Sequence, residues 1–410
     1  MNIKPGFVII GGGHAAGRAI EAMREAGYTG LITLIGAEHE LPYERPALSK
    51  ELLINEKSNE VTFINDSNWY AEKNVELVLG TTADGLDQNN KMITCTDGRT
   101  FTYEKLLITT GARVRRLNIP GTEHPSIHYL RTLNDAKLLS SQLTKGKKLV
   151  VIGGGFIGLE VAASASLRGV TVSIVESGER LMGRAVPPLI SQYIASRHQS
   201  EGAHLYFNST PLKIDRDENG FSLVVLDDGS IIEADLVVIG IGVEPETSLA
   251  INSGLAVDNG ILTDSFCNTS DSAIYAAGDC TNHFNSLLDK RIRLESWQNA
   301  QNQAIVAAHN MCGKKEIHSE IPWFWSDQYD INLQIAGLPG VWNTPILRGE
   351  IESGSFILFN LEDGIITAVA GVNAGRDMSF ARRLIYSKNR LTETMLTDLS
   401  LSLRQLAKEK

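Results

Sequence analysis

Cysteine is scarce in this chain. There are 4 in 410 residues, Cys95, Cys267, Cys280 and Cys312, and no two are spaced CxxC or CxxxxC. That spacing excludes a zinc ribbon and a local redox-active disulfide, and makes reduced thiols in a cytoplasmic protein the expectation. Positive charge is also in deficit, with 38 Lys and Arg against 48 Asp and Glu and a net charge of -10. Such a balance disfavours a phosphate-coated polymer, so nucleic acid is excluded as the main partner. Long apolar runs are missing too. No stretch approaches the roughly 18 residues that cross a bilayer, and the run 7–10 stops at Gly11, so neither a membrane span nor a signal peptide is expected. What remains is an ordinary folded composition, 43% hydrophobic and 21% charged, long enough for two or three domains.

One internal repeat organises the rest. Phe7-Val8-Ile9-Ile10-Gly11-Gly12-Gly13 returns as Leu149-Val150-Val151-Ile152-Gly153-Gly154-Gly155. In each copy an apolar, β-rich run stops at glycines, a stretch of helical character follows (18–26 and 159–168), and a second apolar run closes the unit (31–35 and 170–175). The spacing predicts strand, turn, helix, strand, twice. Further strands are predicted over 106–110, 235–239 and 273–277. The last can complete the first sheet, so the second unit reads as an insertion into the first domain. Beyond Pro322 the pattern changes to strands at 333–336, 356–360 and 365–372 without crossover helices, followed by a helical tail from 378. That reads as a small third domain of α+β type.

The glycine spacing carries chemistry. A GxGxxG or GxGxxA turn needs its first glycine for the tight turn and its second for close approach to a diphosphate. The third small residue lets helix and strand pack. Gly11, Gly13 and Ala16 fit this pattern, as do Gly153, Gly155 and Gly158. The helix start then offers free N–H groups to an anion. An acid at the end of the second strand should accept from a ribose. Glu176 takes that place in the second copy, where its charge opposes a 2'-phosphate and favours NADH over NADPH despite Arg180 and Arg184 nearby. In the first copy the acid is Glu38. Two dinucleotide sites in one chain point to two nucleotides that exchange electrons, and a flavin and a nicotinamide are the natural pair.

Several segments resemble those of one family. They are 41–50 (Leu-Pro-Tyr-Glu-Arg-Pro-Ala-Leu-Ser-Lys), 109–112 (Thr-Thr-Gly-Ala), 275–279 (Tyr-Ala-Ala-Gly-Asp), 295–300 (Glu-Ser-Trp-Gln-Asn-Ala) and 322–329 (Pro-Trp-Phe-Trp-Ser-Asp-Gln-Tyr). Over nearly its whole length the chain resembles the FAD-containing ferredoxin–NAD(+) reductase components of bacterial aromatic-ring dioxygenase systems. The resemblance implies a glutathione-reductase-like α/β fold: two Rossmann-like dinucleotide-binding domains plus a C-terminal α+β domain. The expected bounds are 1–112 with 245–321 for FAD, 113–244 for NAD and 322–410 for the last domain. It implies that NADH passes a hydride to FAD and that single electrons then go to a [2Fe-2S], Rieske-type ferredoxin feeding a terminal ring-hydroxylating oxygenase.

The resemblance also implies roles. Asp279 holds the FAD ribitol and diphosphate, Arg45 contacts the flavin, Lys50 lies near flavin N5, and Thr110, Gly111 and Arg131 add FAD contacts. Glu160, read as a first-turn helix acid, approaches the nicotinamide amide and pairs with Lys50. Trp297 covers the flavin face away from NADH, and Gly242 lies against NAD. Lys50, Glu160 and Trp297 are the expected catalytic residues, and no metal is expected. Three departures stand out: Ala37 replaces a usual Asp, so ribose recognition passes to Glu38; Ala47 replaces a proline; Glu246 replaces an Asn, next to the NAD adenosine half. A monomer or homodimer is expected.

Rival readings on the same scaffold are distinguishable. A disulfide reductase needs a thiol beside the flavin, and the stretch Ser49-Lys50-Glu51-Leu52 has none. An NADH-responsive flavoprotein of apoptosis-inducing-factor type, or a reductase of another small carrier such as rubredoxin, would share the nucleotide sites. For an acidic ferredoxin the third domain is the least repulsive surface, since 322–410 holds 9 basic and 10 acidic residues. Arg382 and Arg383 on its predicted helix are the candidate contacts.

Overall fold

The computed structural model describes residues 5–55, 61–338 and 342–408. The chain divides into two compact units, Met1–Pro46 with Val61–Arg113 and Val243–Glu320, and Ala47–Glu60 with Val114–Gly242 and Ile321–Lys410.

The first unit is built on a seven-stranded sheet. Strands Val75–Leu79, Ile32–Gly36, Gly6–Ile10 and Thr100–Ile108 lie side by side in that order and run parallel. Ile274–Ala276 pairs parallel with Leu106–Ile108, so a strand from far down the sequence does complete the first sheet. The antiparallel strands Met92–Cys95 and Ala83–Asp87 continue the sheet from the start of strand Thr100–Ile108, at Thr100–Thr102. Alternation along Gly6–Ile10 explains why both faces are covered. Phe7 and Ile9 bury against helices His14–Glu25 and Trp297–Met311, while Val8 and Ile10 bury on the other side with Ile93, Leu249 and Leu255.

The second unit repeats the plan with a parallel sheet in the order His204–Tyr206, Thr171–Val175, Lys148–Ile152, Leu236–Ile239, Ile127–His128. Val150 and Ile152 meet an antiparallel meander, Pro211–Arg216, Ser222–Leu226 and Ile231–Ala234. Leu149 and Val151 join a larger core with Ile331, Leu333, Phe356 and Leu358. Those residues belong to a five-stranded antiparallel sheet, Trp323–Gln328, Ile331–Gly337, Ile365–Val372, Ser355–Glu362 and Ile346–Glu350, with helix Gly375–Ser387 against it. This is the α+β region expected beyond Pro322. Among the described residues no helix is long and apolar enough to cross a membrane.

Both glycine-loop helices start earlier than the helical composition suggested, at His14 and Phe156. The loop leads straight into the helix, so His14 and Gly17 in one copy and Phe156, Ile157 and Gly158 in the other, all weaker helix formers than Ala or Leu, are carried into the first turn by the tertiary fold.

Two buried histidines set an acid limit on the first unit. His283 and His318 are 1% and 2% exposed, with ring centroids 4.9 Å apart. Burial, then the His318 and Arg291 charges, push His283 down to about 3, and burial pushes His318 down to about 4. Each is neutral when folded but binds a proton in the unfolded chain below about pH 6.5. Their contribution is therefore complete above that pH and is lost as pH falls, by up to about 1.4 kcal/mol per pH unit for each histidine. Urea unfolding between pH 7 and 4 should show a slope that His283→Phe reduces by about one proton; an unchanged slope contradicts this account.

Candidate functional site

Both glycine loops stand at the carboxyl end of a parallel sheet, where one crossover leaves the central strand on one side and the next neighbour lies on the other. In the first unit that neighbour is Thr100–Ile108, and in the second it is Leu236–Ile239. Gly11 (φ +105°) and Gly153 (φ +108°) turn the chain there. A Cβ on Gly11 would lie 2.3 Å from the Thr109 carbonyl oxygen, and one on Gly153 would lie 2.5 Å from that of Gly240. Ala16 is fully buried in its helix, and a Cβ on Gly158 would come within 2.3 Å of the Gly153 oxygen. These small residues are required by the chain's own packing.

The middle glycines are not. Gly13 and Gly155 have ordinary extended φ of -89° and -84°. A Cβ at Gly13 would meet only an Arg45 nitrogen at 3.8 Å, and one at Gly155 would meet nothing within 4 Å. Open space at a residue that has no conformational need to be glycine is what close approach of a diphosphate requires. Neither helix start has a side-chain cap or an acid in its first turn, so the leading N–H groups remain available to an anion. In the first unit a cavity of about 390 Å³ opens beside Gly11, lined by Ile35, Ala37, Asp84, Thr110 and Glu246. The donor set and the space fit a dinucleotide.

The first unit also holds Glu38, Arg45, Gly111, Asp279 and Trp297. The Glu38 carboxylate accepts from Arg45 Nη2 and from the Tyr43 hydroxyl, each at 2.6 Å. It is therefore already engaged, and its remaining lone pairs are what a ribose could use. Arg45 is raised above its usual range by Tyr43, Glu38 and Asp279 in spite of its burial. Gly278 N–H donates to Gln303 Oε1 at 2.9 Å, which fixes the turn presenting Asp279. Thr110 Oγ1 donates to the Glu246 carbonyl at 2.6 Å, and Glu246 N–H returns to the Gly111 carbonyl at 2.9 Å. Glu246 thus lines the cavity of the Gly11 unit. Trp297 opens helix Trp297–Met311, 4.8 Å from the buried His14 ring. Burial and Arg18 push His14 down to about 3, so it is neutral. His14 was missed in the sequence; its one signal was its place directly after Gly13.

The second unit holds Lys50, Arg131, Glu160, Glu176 and Gly242. Glu176 ends strand Thr171–Val175, and its two oxygens accept from Gly154 N–H and Gly178 N–H, each at 2.7 Å. Arg180 gives its guanidinium to the Val186 carbonyl at 2.8 Å, while Arg184 is exposed. Arg131 precedes helix Leu133–Gln142 and donates its backbone N–H to Asp135. Gly242 turns with φ +102° and accepts from Arg115 N–H at 3.0 Å.

Glu160 lies in the second turn of helix Phe156–Leu167, not the first, so the helix dipole does not explain it. It is 3% exposed and lies 3.4 Å from Lys50 Nζ. Ser49 and Ser326 hydroxyls donate to its two oxygens, Ser326 at 2.7 Å. Burial raises the Glu160 carboxyl, while Lys50 and the two serines oppose the rise. Ser49 and Ser326 lie in the quoted segments, but nothing in the sequence indicated that they would clamp a glutamate more than a hundred residues away.

Two glycine-loop α/β folds with open, anion-ready helix starts define a class of protein that binds two nucleotides. Residues 6–304 match the model of the pyridine nucleotide-disulphide oxidoreductase family, and 323–407 match the reductase C-terminal domain. The chain belongs to the pyridine nucleotide-disulphide oxidoreductase family. It is 45% identical to the anthranilate 1,2-dioxygenase system ferredoxin–NAD(+) reductase component of Burkholderia cepacia, over 94% of this chain and 95% of the relative. It is 36% identical to the 3-phenylpropionate/cinnamic acid dioxygenase ferredoxin–NAD(+) reductase component of Photorhabdus laumondii, over 92% and 95%. Among solved structures, the ferredoxin reductase for the CYP199A2 system from Rhodopseudomonas palustris superposes with a TM-score of 0.94 at 35% identity, covering 98% of this chain and all of that one. Putidaredoxin reductase in its covalent complex with putidaredoxin gives 0.95 at 33%, with both chains fully covered.

Removing one partner of a buried ion pair leaves an uncompensated charge. Lys50→Met should cost about 3 kcal/mol in urea unfolding, and adding Glu160→Gln should restore part of that. Strict additivity of the two changes would show that the pair is not coupled.

Proposed function

We propose that the protein is an NADH-dependent flavoprotein reductase that takes two electrons from NADH and delivers them singly to a [2Fe-2S], Rieske-type ferredoxin serving an aromatic-ring dioxygenase. The balanced reaction is NADH plus two oxidised ferredoxins giving NAD+, two reduced ferredoxins and one proton. The observation that carries the reading is the doubled glycine loop with room kept open at Gly13 and Gly155. FAD belongs to the first unit and NAD to the second, within the three-domain division at 1–112 with 245–321, 113–244 and 322–410.

Bound there, the two nucleotides supply hydride transfer and onward one-electron transfer. The chain's own residues bind and orient them. The helix start at Gly13 holds the FAD diphosphate, Arg45 and Asp279 flank it, and Glu38 takes the ribose. Thr110, Gly111 and Arg131 add contacts, and Trp297 covers the flavin. The helix start at Gly155 holds the NAD diphosphate, with Gly242 beside it. Glu176, its oxygens fixed by two N–H donors, accepts from the ribose and repels a 2'-phosphate. Lys50 and Glu160 keep a positive and a negative group together in a buried place where the nicotinamide amide and the flavin need polar partners. The protein works in the cytoplasm as a monomer or homodimer, and its ferredoxin docks on the near-neutral surface of 322–410, at Arg382 and Arg383.

Steady-state reduction of candidate ferredoxins with NADH and NADPH side by side tests this reading, which predicts ferredoxin turnover with NADH preferred. Failure to reduce any [2Fe-2S] ferredoxin contradicts it. Loss of a charge-assisted hydrogen bond in Glu176→Ala should raise the KM for NADH about tenfold and lower that for NADPH. Reversing both Arg382 and Arg383 should raise the KM for ferredoxin and leave that for NADH unchanged.

A further inference from the structure

The segment 322–329 carries much of the family resemblance, yet the reaction described above uses little of it. It forms strand Trp323–Gln328 and enters a tight hairpin at Tyr329. Ser326 and Gln328 share the buried face, at 1% and 2% exposed.

Hydrogen bonds lead outward from Glu160 along this strand. Ser326 Oγ is 2.7 Å from Glu160 Oε1, and Gln328 Nε2 is 3.1 Å from Ser326 Oγ. Gln328 Oε1 is 3.0 Å from His198 Nε2, and His198 Nδ1 is 3.2 Å from the Tyr329 hydroxyl. His198 sits in the last turn of helix Pro188–Ser200 and is buried.

Chemistry fixes the direction of every bond. An ionised carboxylate only accepts, so Ser326 gives its proton to Glu160 and accepts from the Gln328 amide nitrogen. The amide carbonyl then faces His198, which must carry its proton on Nε2. Burial and the Arg197 charge push His198 below its usual range against the Gln328 bond, so the ring is neutral and its bare Nδ1 accepts from Tyr329. All four donors point toward Glu160.

The outer end is held under strain. Tyr329 has φ +55°, a region that bulky residues seldom enter. Arg197 holds it from the neighbouring helix, with its guanidinium 4.9 Å from the Tyr329 ring centroid and its Nε 2.8 Å from Asp330. Strain that the surroundings maintain at one place is a reason to look for function there.

We propose that Tyr329, His198, Gln328 and Ser326 form a one-way relay of hydrogen-bond donors that keeps the buried Glu160 carboxylate ionised and turned to Lys50. His198 and Gln328 are positioning residues for that pair, although neither touches it. The Gln328 amide cannot pass a proton along, so the relay aligns dipoles and does not conduct. Protonating Glu160 at Oε1 would require Ser326 to reverse, the Gln328 amide to turn over and His198 to change tautomer together, which confines a proton to Oε2, where the Ser49 hydroxyl already donates and Lys50 lies nearby. Among the described residues, the charged groups that face the relay are Lys50 at Glu160, and Arg197, Glu201 and Asp330 at the His198–Tyr329 end. The bearing of the relay on hydride transfer rests on the reading of Lys50 and Glu160 given above, but its existence does not.

Infrared titration of the full-length holoprotein reads the relay directly. The band of the protonated Glu160 carboxyl is assigned by its loss in Glu160→Gln. Gln328→Met, close in size, should raise the midpoint of that band by about one pH unit. Tyr329→Phe, which keeps the ring, should raise it by less. An unmoved midpoint in the folded variants overturns the relay, and if Gln328→Met does not fold, Tyr329→Phe decides alone. If instead Glu160→Gln oxidised NADH like the parent protein, the reading of the pair in the reaction would fall while the relay stood.

Discussion

The rest of the structure depends on a steric fact at two places: backbone passes so close to backbone at the end of a central strand that no side chain fits. The Thr109 carbonyl oxygen blocks a Cβ on Gly11, and the Gly240 carbonyl oxygen blocks one on Gly153. This contact brings the end of the neighbouring strand against the turn. The following helix starts with its N–H groups uncapped at the sheet's carboxyl edge. An anion site then follows from the topology, because the crossovers diverge there and leave a crevice. The same solution appears twice with different outer strands, and this doubling makes the fold one for two nucleotides.

The second constraint is electrostatic. Burying Glu160 at 3% exposure is unfavourable unless its charge is met. Lys50 and Ser49 from one segment and Ser326 from another meet it, so one carboxylate ties helix Phe156–Leu167, the segment around Lys50 and the strand Trp323–Gln328 into one unit. Ala47–Glu60 accordingly groups with that unit, although the sequence reading placed it in the first domain. Burial raises the carboxyl while its partners oppose the rise, and a polar group under such opposed pulls responds to small changes in its surroundings.

The parts legible in the sequence were local. Both strand–loop–helix units could be read because glycine at fixed offsets and a change in apolar period are properties of neighbouring residues. Glu176 was legible for the same reason, standing at the end of its strand. Partnerships across long sequence distances were not legible: Ser49 lies 111 residues from Glu160 and Ser326 lies 166 away. His198 carried no motif at all and reads as an ordinary residue near a helix end until the strand at 323–328 is folded against it. Glu38 shows the same limit at closer range: its type and place were legible, but the Arg45 and Tyr43 donors, seven and five residues on, that hold its carboxylate were not.

The most direct test of the central claim uses the two glycines whose space the protein leaves open. A Cβ at position 13 or 155 meets little of the chain itself, so Gly13→Val and Gly155→Val should both fold with near-parental thermal midpoints. Flavin content by absorbance and NADH affinity by titration are then measured on each. The account predicts that Gly13→Val loses FAD, and that Gly155→Val keeps FAD and loses affinity for NADH. Parental FAD content in Gly13→Val together with parental NADH affinity in Gly155→Val would contradict it.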